Sequence, residues 1–188
     1  MQVINVLLVF NFIKFVFGCG SYVIHDQTPF CNSAYAIVGI VQASWESADE
    51  SLFQIKVTTN FKLEEVPSRG GIITVAGRGR MSSCGPTRMT RNKAYVIYLS
   101  VDEGSSYPLR IIEKEDYRLT TMDRIWSYDC SCQVEINIPQ QLTPNSGVPA
   151  RDKCVITERD LGCPFYNGYC ARRGSQNVCQ WVPGSSVC

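Results

Sequence analysis

Between Ala34 and Ala43 the sequence AYAIVGIVQA is rich in β-branched and aromatic residues, and Phe53 to Phe61, FQIKVTTNF, alternates apolar with polar residues over a full strand length. Three more short apolar runs follow at Gly71–Ala76 (GIITVA), Ala94–Val101 (AYVIYLSV) and Pro108–Ile112 (PLRII), separated by clusters of Gly, Pro, Ser and Arg. The period then changes. Leu119, Met122, Ile125 and Trp126 recur at helical spacing within 119–128, with Thr120 or Thr121 placed to cap the start. Five antiparallel strands and a helix in about a hundred residues predict a mainly β unit, a five-stranded Greek-key barrel of OB type; a sandwich would want roughly seven strands.

The two ends read differently. The segment from Asn137 to Lys153 holds three prolines and no periodicity, and five cysteines crowd the last 35 residues, which predicts a linker and a small disulfide-rich C-terminal annex. At the start, MQVINVLLVFNFIKFVFG is apolar and ends in Val16-Phe17-Gly18, which suits signal-peptidase cleavage before Cys19. That run carries Asn11 and Lys14 and falls short of the roughly 20 residues a spanning helix needs. The expected organisation is a signal peptide at 1–18, an OB-type domain at 19–130 and a disulfide-rich subdomain at 131–188, in a secreted, extracellular monomer without a membrane span. Lys14 is the one charge removed, so 17 basic residues face 17 acidic ones, and bulk electrostatics nominate neither nucleic acid nor membrane as a partner.

All ten cysteines lie after the expected cleavage point. An even count behind a signal peptide implies a disulfide framework of five bridges, but counting leaves about 945 connectivities open. A structural zinc site would want paired Cys-x-x-Cys or Cys/His clusters, whereas only Cys130 and Cys132 are close and His25 is the sole histidine. One histidine and wholly paired cysteines leave no acid, base and nucleophile set, so an enzyme is not expected. His25 reads as a packing or hydrogen-bonding residue. Arg78, Arg80, Arg88, Arg91 and Lys93 form a basic region around Cys84, read as a solvated loop that could also meet acidic matrix polysaccharide. Phe165, Tyr166 and Trp181, beside disulfides, read as local core.

From Cys19 the chain reads CGSYVIHDQTPFCN, with His25 six residues on, Gln27 eight, Phe30 eleven and Cys31 twelve, followed by Asn32. This start resembles the tissue inhibitors of metalloproteinases, of the netrin-like domain family. SSCG at 82–85, Asp129-Cys130-Ser131-Cys132 and the terminal YCARRGSQNVCQW carry the likeness along nearly the whole expected mature chain. The resemblance implies the pairs Cys19–Cys84, Cys31–Cys130, Cys132–Cys179 and Cys154–Cys170, with Cys163 and Cys188 left to each other. It also shows a matched loss. The family's cysteine two residues after the first is Ser21 here, and its partner is missing from PLRIIEKED.

The function implied is inhibition of a zinc metalloproteinase. The α-amine and carbonyl of Cys19 would chelate the target's catalytic zinc, so the metal is shared with the target and the protein has no cofactor of its own. The amine must be neutral to bind, and its ordinary pKa of about 7.7 to 8.0 makes that inexpensive. Gly20, Ser21, Tyr22, Ser82 and Ser83 would line the protease cleft, with the Cys19–Cys84 bridge pinning the terminus to the loop. Gly20 leaves the family's specificity-pocket side chain absent, which implies a weakened or retargeted inhibitor. The alternative is a non-inhibitory secreted effector on the same scaffold that binds a cell-surface receptor.

Overall fold

The computed structural model describes residues 24–62, 68–137, 149–157 and 161–183, with backbone alone at 120, 121, 163 and 164. The barrel strands are β1 (Tyr35–Glu46), β2 (Glu50–Asn60), β3 (Ile72–Arg78), β4 (Ala94–Val101) and β5 (Leu109–Asp116), with α1 (Gln27–Asn32) before them and α2 (Leu119–Ile125) after. They close in the order β1-β2-β3-β5-β4. Every pairing is antiparallel except that of β3 with β5, which meet in parallel at Ala76 and Arg110. This is the five-stranded OB-type barrel that the strand pattern predicts.

Closure rests on β1, which hydrogen-bonds to β2 on one side and β4 on the other and must bend to serve both. Its register with β2 shifts between Val38 and Gly39 and between Val41 and Ala43, the irregularities by which a strand curves. A Cβ at Gly39 would lie 2.1 Å from Cγ2 of Ile55, so only glycine lets β2 approach there.

Two clusters explain the unbroken apolar runs of β1 and β4. Ile37, Val41, Tyr95, Ile97 and Leu99 point inward with Phe53, Ile55, Val57 and Val75. Ala36, Val38, Val96 and Tyr98 point outward and are covered by Phe30 of α1 and by Phe61 and Ile125. A strand buried on both faces has no polar alternation to show. β2 has one exposed edge of side chains, with Lys56 in water between buried Ile55 and Val57, and it alternates accordingly.

Two expectations are amended. β5 runs on to Asp116 although EKED is polar, because backbone pairing with β4 (Tyr95 opposite Asp116) does not depend on which side chains face water. The helix is shorter than 119–128, and its cap is Arg118 without a side-chain cap bond; the helix begins at Leu119, ahead of both threonines. Ile125 is buried, whereas Leu119 and Trp126 are exposed, with Trp126 leaning on Phe61 at 5.0 Å between ring centres.

The annex holds more regular structure than its composition suggests. β6 (Gln133–Asn137) and β7 (Lys153–Thr157) form a parallel pair, and after α3 (Cys163–Asn167) β8 (Tyr169–Arg173) and β9 (Val178–Val182) form a hairpin. Asn177 and Gly174 take positive φ in its turn. Its interior is mostly sulfur: Cys132, Cys154, Cys170 and Cys179 are buried together, with Ile136, Ile156 and Phe165 alongside.

Three disulfides are formed among the described residues: Cys31–Cys130, Cys132–Cys179 and Cys154–Cys170, with Cα separations of 5.3, 5.7 and 5.9 Å. All three are pairs that the family resemblance implies. Cys84 is disulfide-bonded too. Cys19, Cys188 and the side chain of Cys163 lie outside the described residues. Among the described residues no helix is long and apolar enough to cross a membrane.

Candidate functional site

The Cys84 loop leaves β3 at Arg78 and lies across the tip of the β1–β2 hairpin. The N–H groups of Gly79, Arg80 and Met81 donate to the carbonyls of Asp49, Ser47 and Ala48 at 3.1, 3.2 and 2.8 Å. A Cβ on Gly79 would sit 2.3 Å from Asp49 C and Glu50 N, so the contact requires glycine. The loop's return is fastened as well. Thr87 N–H donates to the Arg78 carbonyl at 2.8 Å, and Arg78 N–H donates to Thr87 Oγ1 at 2.9 Å.

Between these anchors the tip projects. Ser82 is half-buried and accepts at Oγ from Cys84 N–H at 3.3 Å, while Ser83 and Cys84 are exposed and Gly85 turns the chain at φ 69. Met81 beside them is 78% exposed, and Trp45 on the supporting hairpin 53%. Ser82 and Ser83 thus stand on a braced rim. The other half of the expected wedge, Cys19, Gly20, Ser21 and Tyr22, lies outside the described residues. Sequence reasoning misses the hairpin's supporting role, although the ESADE turn at 46–50 is polar enough to mark a tight connection.

A second polar constellation lies where α1 meets the annex. His25 is buried; its Nδ1 accepts from Gln27 N–H and its Nε2 faces the Gly168 carbonyl, each at 3.2 Å. Phe165, Trp181 and Tyr128 ring it edge-on at 5.1, 5.0 and 6.1 Å. Both nitrogens are engaged, as the packing reading of His25 expects. Gln27 is likewise buried, bonding Asp129 on the barrel side and Cys170 across the junction. Its role has no sequence signal beyond its place in the His-x-Gln spacing.

Beside this junction a cleft of about 710 Å³ runs between α1, β5 and α3. On its wall Arg124 pairs with Asp26 and lies 4.0 Å from Glu115, while Tyr98 OH donates to Glu115 at 2.7 Å. Burial, with the Asp26 charge behind it, holds the Glu115 carboxyl above the usual range, and burial beside Glu115 pushes the Tyr98 phenol up. Carboxylates (Asp26, Glu113, Glu115, Asp116) and cations (Lys114, Arg118, Arg124) share the lining, so its charge names no ligand class.

One set of metal-type ligands clusters among the described residues, Cys132, Cys170 and Cys179. Their sulfurs are tied up in disulfides and offer no thiolate. The fold and the loop define a disulfide-stapled OB-type barrel carrying a braced, exposed half-cystine loop and a stapled annex. No protein-family model matches the chain, and no curated protein matches it at a significant level.

Proposed function

We propose that the protein is a secreted inhibitor of zinc metalloproteinases that acts through its processed amino terminus. The reading rests on the positional match of CGSYVIHDQTPFCN, and the observation that carries it is the disulfide pattern. Three pairs that the family resemblance implies are formed among the described residues, out of the many pairings open to ten cysteines.

In this reading the Cys19 α-amine, once freed and neutral, and the Cys19 carbonyl oxygen close a five-membered chelate on the target's zinc, whose open position ordinarily holds water. The Cys84 bridge holds the terminus beside Ser82 and Ser83, and the hairpin braces that loop, so little chain freedom remains to be lost on docking. Gly20 leaves the specificity pocket unfilled, so affinity comes from the chelate and the rim.

The test is one residue long. Chain beginning at Cys19 should inhibit members of a metalloproteinase panel, and chain carrying a single alanine before Cys19 should not. Equal inhibition by both would end the chelation mechanism. No inhibition by either, with saturable cell-surface binding by both, would assign the receptor-binding alternative that Gly20 and Ser21 favour.

A further inference from the structure

α1 is held to the annex by two side chains. The Gln27 amide crosses the junction with two hydrogen bonds, Nε2 donating to the Cys170 carbonyl and Oε1 accepting from Cys170 N–H, each at 2.8 Å, while Nε2 also donates to the Asp129 carbonyl on the barrel side at 3.0 Å. Cys170 is fully buried. Gln27 is in turn set by His25, whose Nδ1 takes the Gln27 N–H while Nε2 points at the Gly168 carbonyl of the annex. Those partners call for the neutral ring with its proton on Nε2. None of the described disulfides joins the barrel to the annex: Cys31–Cys130 lies on the barrel side, and Cys132–Cys179 and Cys154–Cys170 on the other.

We infer that His25 and Gln27 form an acid-released latch holding the annex against the barrel. A proton added at Nδ1 removes the acceptor for Gln27 N–H and sets two N–H groups against each other. The Gln27 backbone must then shift, and its amide leaves Cys170. The charge created has poor surroundings. His25 is 1% exposed and ringed by Tyr128, Phe165 and Trp181.

Each neighbouring element contributes to the balance. From the start of α1, Asp26 Oδ1 lies 3.3 Å from Nε2 and favours the charged ring. From α2, Arg124 already engages that carboxylate and opposes a second cation, and Glu115 of β5 faces Arg124 rather than the ring. The annex presents the carbonyls of Phe165 and Gly168. Burial outweighs Asp26 and holds His25 below its ordinary 6.5.

The sign follows from linkage. The open form, with His25 in water, binds the proton more tightly than the closed form, so acid favours opening. The closed form has its full advantage above the open-form value and loses up to tenfold of it per pH unit below, until the closed-form ring itself protonates. A second contact remains as a hinge. Asp129 accepts from the N–H of Arg172 at 3.0 Å, and hydrogen bonds from Ser131 and Arg172 outweigh its burial to hold its carboxyl below the usual range, so it stays charged while His25 titrates.

Native-state amide hydrogen exchange on the processed full chain tests the latch. Protection of the Cys170 and Gln27 amides, corrected for intrinsic rates, should fall up to tenfold per pH unit as the pH drops below about 6.5. Ile97, in the barrel core, should hold its protection, and in His25→Gln the Cys170 profile should be flat. Flat Cys170 protection in the wild type overturns the latch, as does an equal fall in the variant, or a fall shared by Ile97, which is global unfolding. Should the variant not fold, the single histidine's own ring titration by NMR substitutes. Its midpoint must lie below the ordinary 6.5, at the pH where the loss of Cys170 protection levels off, and a midpoint at or above the ordinary value overturns the proposal.

Discussion

Replacing Gly79 by alanine tests whether the β1–β2 hairpin holds the Cys84 loop in place. The new Cβ would lie 2.3 Å from Asp49 C and Glu50 N and 2.5 Å from the Ala48 oxygen. All three are backbone atoms, so none can rotate aside, and the loop must lift. Lifting gives up the bonds from Gly79, Arg80 and Met81 to the hairpin. At about 0.5–1.5 kcal/mol each, their loss totals roughly 1.5–4.5 kcal/mol, and the lower half is expected because the freed groups reach water. A loss of about 2 kcal/mol lowers Tm by roughly 4–8 °C in a chain of this size, and exchange of the Met81 amide should speed by more than about tenfold. Gly85→Ala is the control. Gly85 has φ 69, and a Cβ there would meet nothing within 4 Å, so the change brings left-handed strain of about 1–2 kcal/mol without displacing the hairpin. Its Met81 exchange should stay near wild type. Wild-type Tm and Met81 exchange in Gly79→Ala would refute the packing argument. A lifted loop with undiminished protease inhibition would refute the loop's part in the proposed wedge.

Three further outcomes follow from the same geometry. Gly39→Ala overpacks Ile55 and should cost about 1–3 kcal/mol, and Ile55→Ala about 2–5 kcal/mol; in urea denaturation the double variant should lose less than the sum, because removing Cγ2 relieves the 2.1 Å contact, and strict additivity refutes it. Glu115→Gln should raise Tm at pH 7. Folding holds this carboxyl above its unfolded value, so the ionised group weighs against the fold at neutral pH and the burden lifts as pH falls through the folded value; the variant's advantage must therefore shrink in acid, and a constant or negative effect at both pH values contradicts the assignment. Replacing Cys154 and Cys170 together by serine opens a loop of 16 residues and should cost about 3 kcal/mol. Annex amides such as Arg172 should lose protection while Ile97 keeps its own, and equal losses in both would show that barrel and annex unfold as one.

Much of the barrel is legible along the chain because its strands are short, apolar and separated by turn residues. AYVIYLSV is a strand from Ala94 to Val101 both by pattern and in space. The pattern ends β5 at Ile112, short of Asp116, because the outer face of the strand meets water, where side-chain hydrophobicity carries no signal and backbone pairing alone continues the strand. The annex strands β6 to β9 leave no pattern for a related reason. Each has five residues, and their interior is built of disulfides, so they need little apolar periodicity to stay folded.

The candidate site divides in the same way. Ser82, Ser83 and Cys84 can be picked out as a loop, but the hairpin beneath them is visible only where the backbone of 79–81 meets that of 47–49, and backbone contacts leave no mark on side-chain identity apart from the glycine they demand. His25 and Gln27 can be placed by spacing. What they do cannot, since Gln27 bonds backbone atoms 102 and 143 residues away, and any residue supplies a carbonyl or an N–H.

By itself, then, the sequence determined the strand count of the barrel, its OB-type class and the disulfide character of the annex, all of which follow from local periodicity, turn chemistry and composition. Barrel closure through a parallel β3–β5 contact, the bend at Gly39, the neutral buried His25 and the noncovalent latch between barrel and annex were decided by tertiary structure. These depend on which distant backbone groups come within about 3 Å and are shut off from water, and that is a property of the assembled fold.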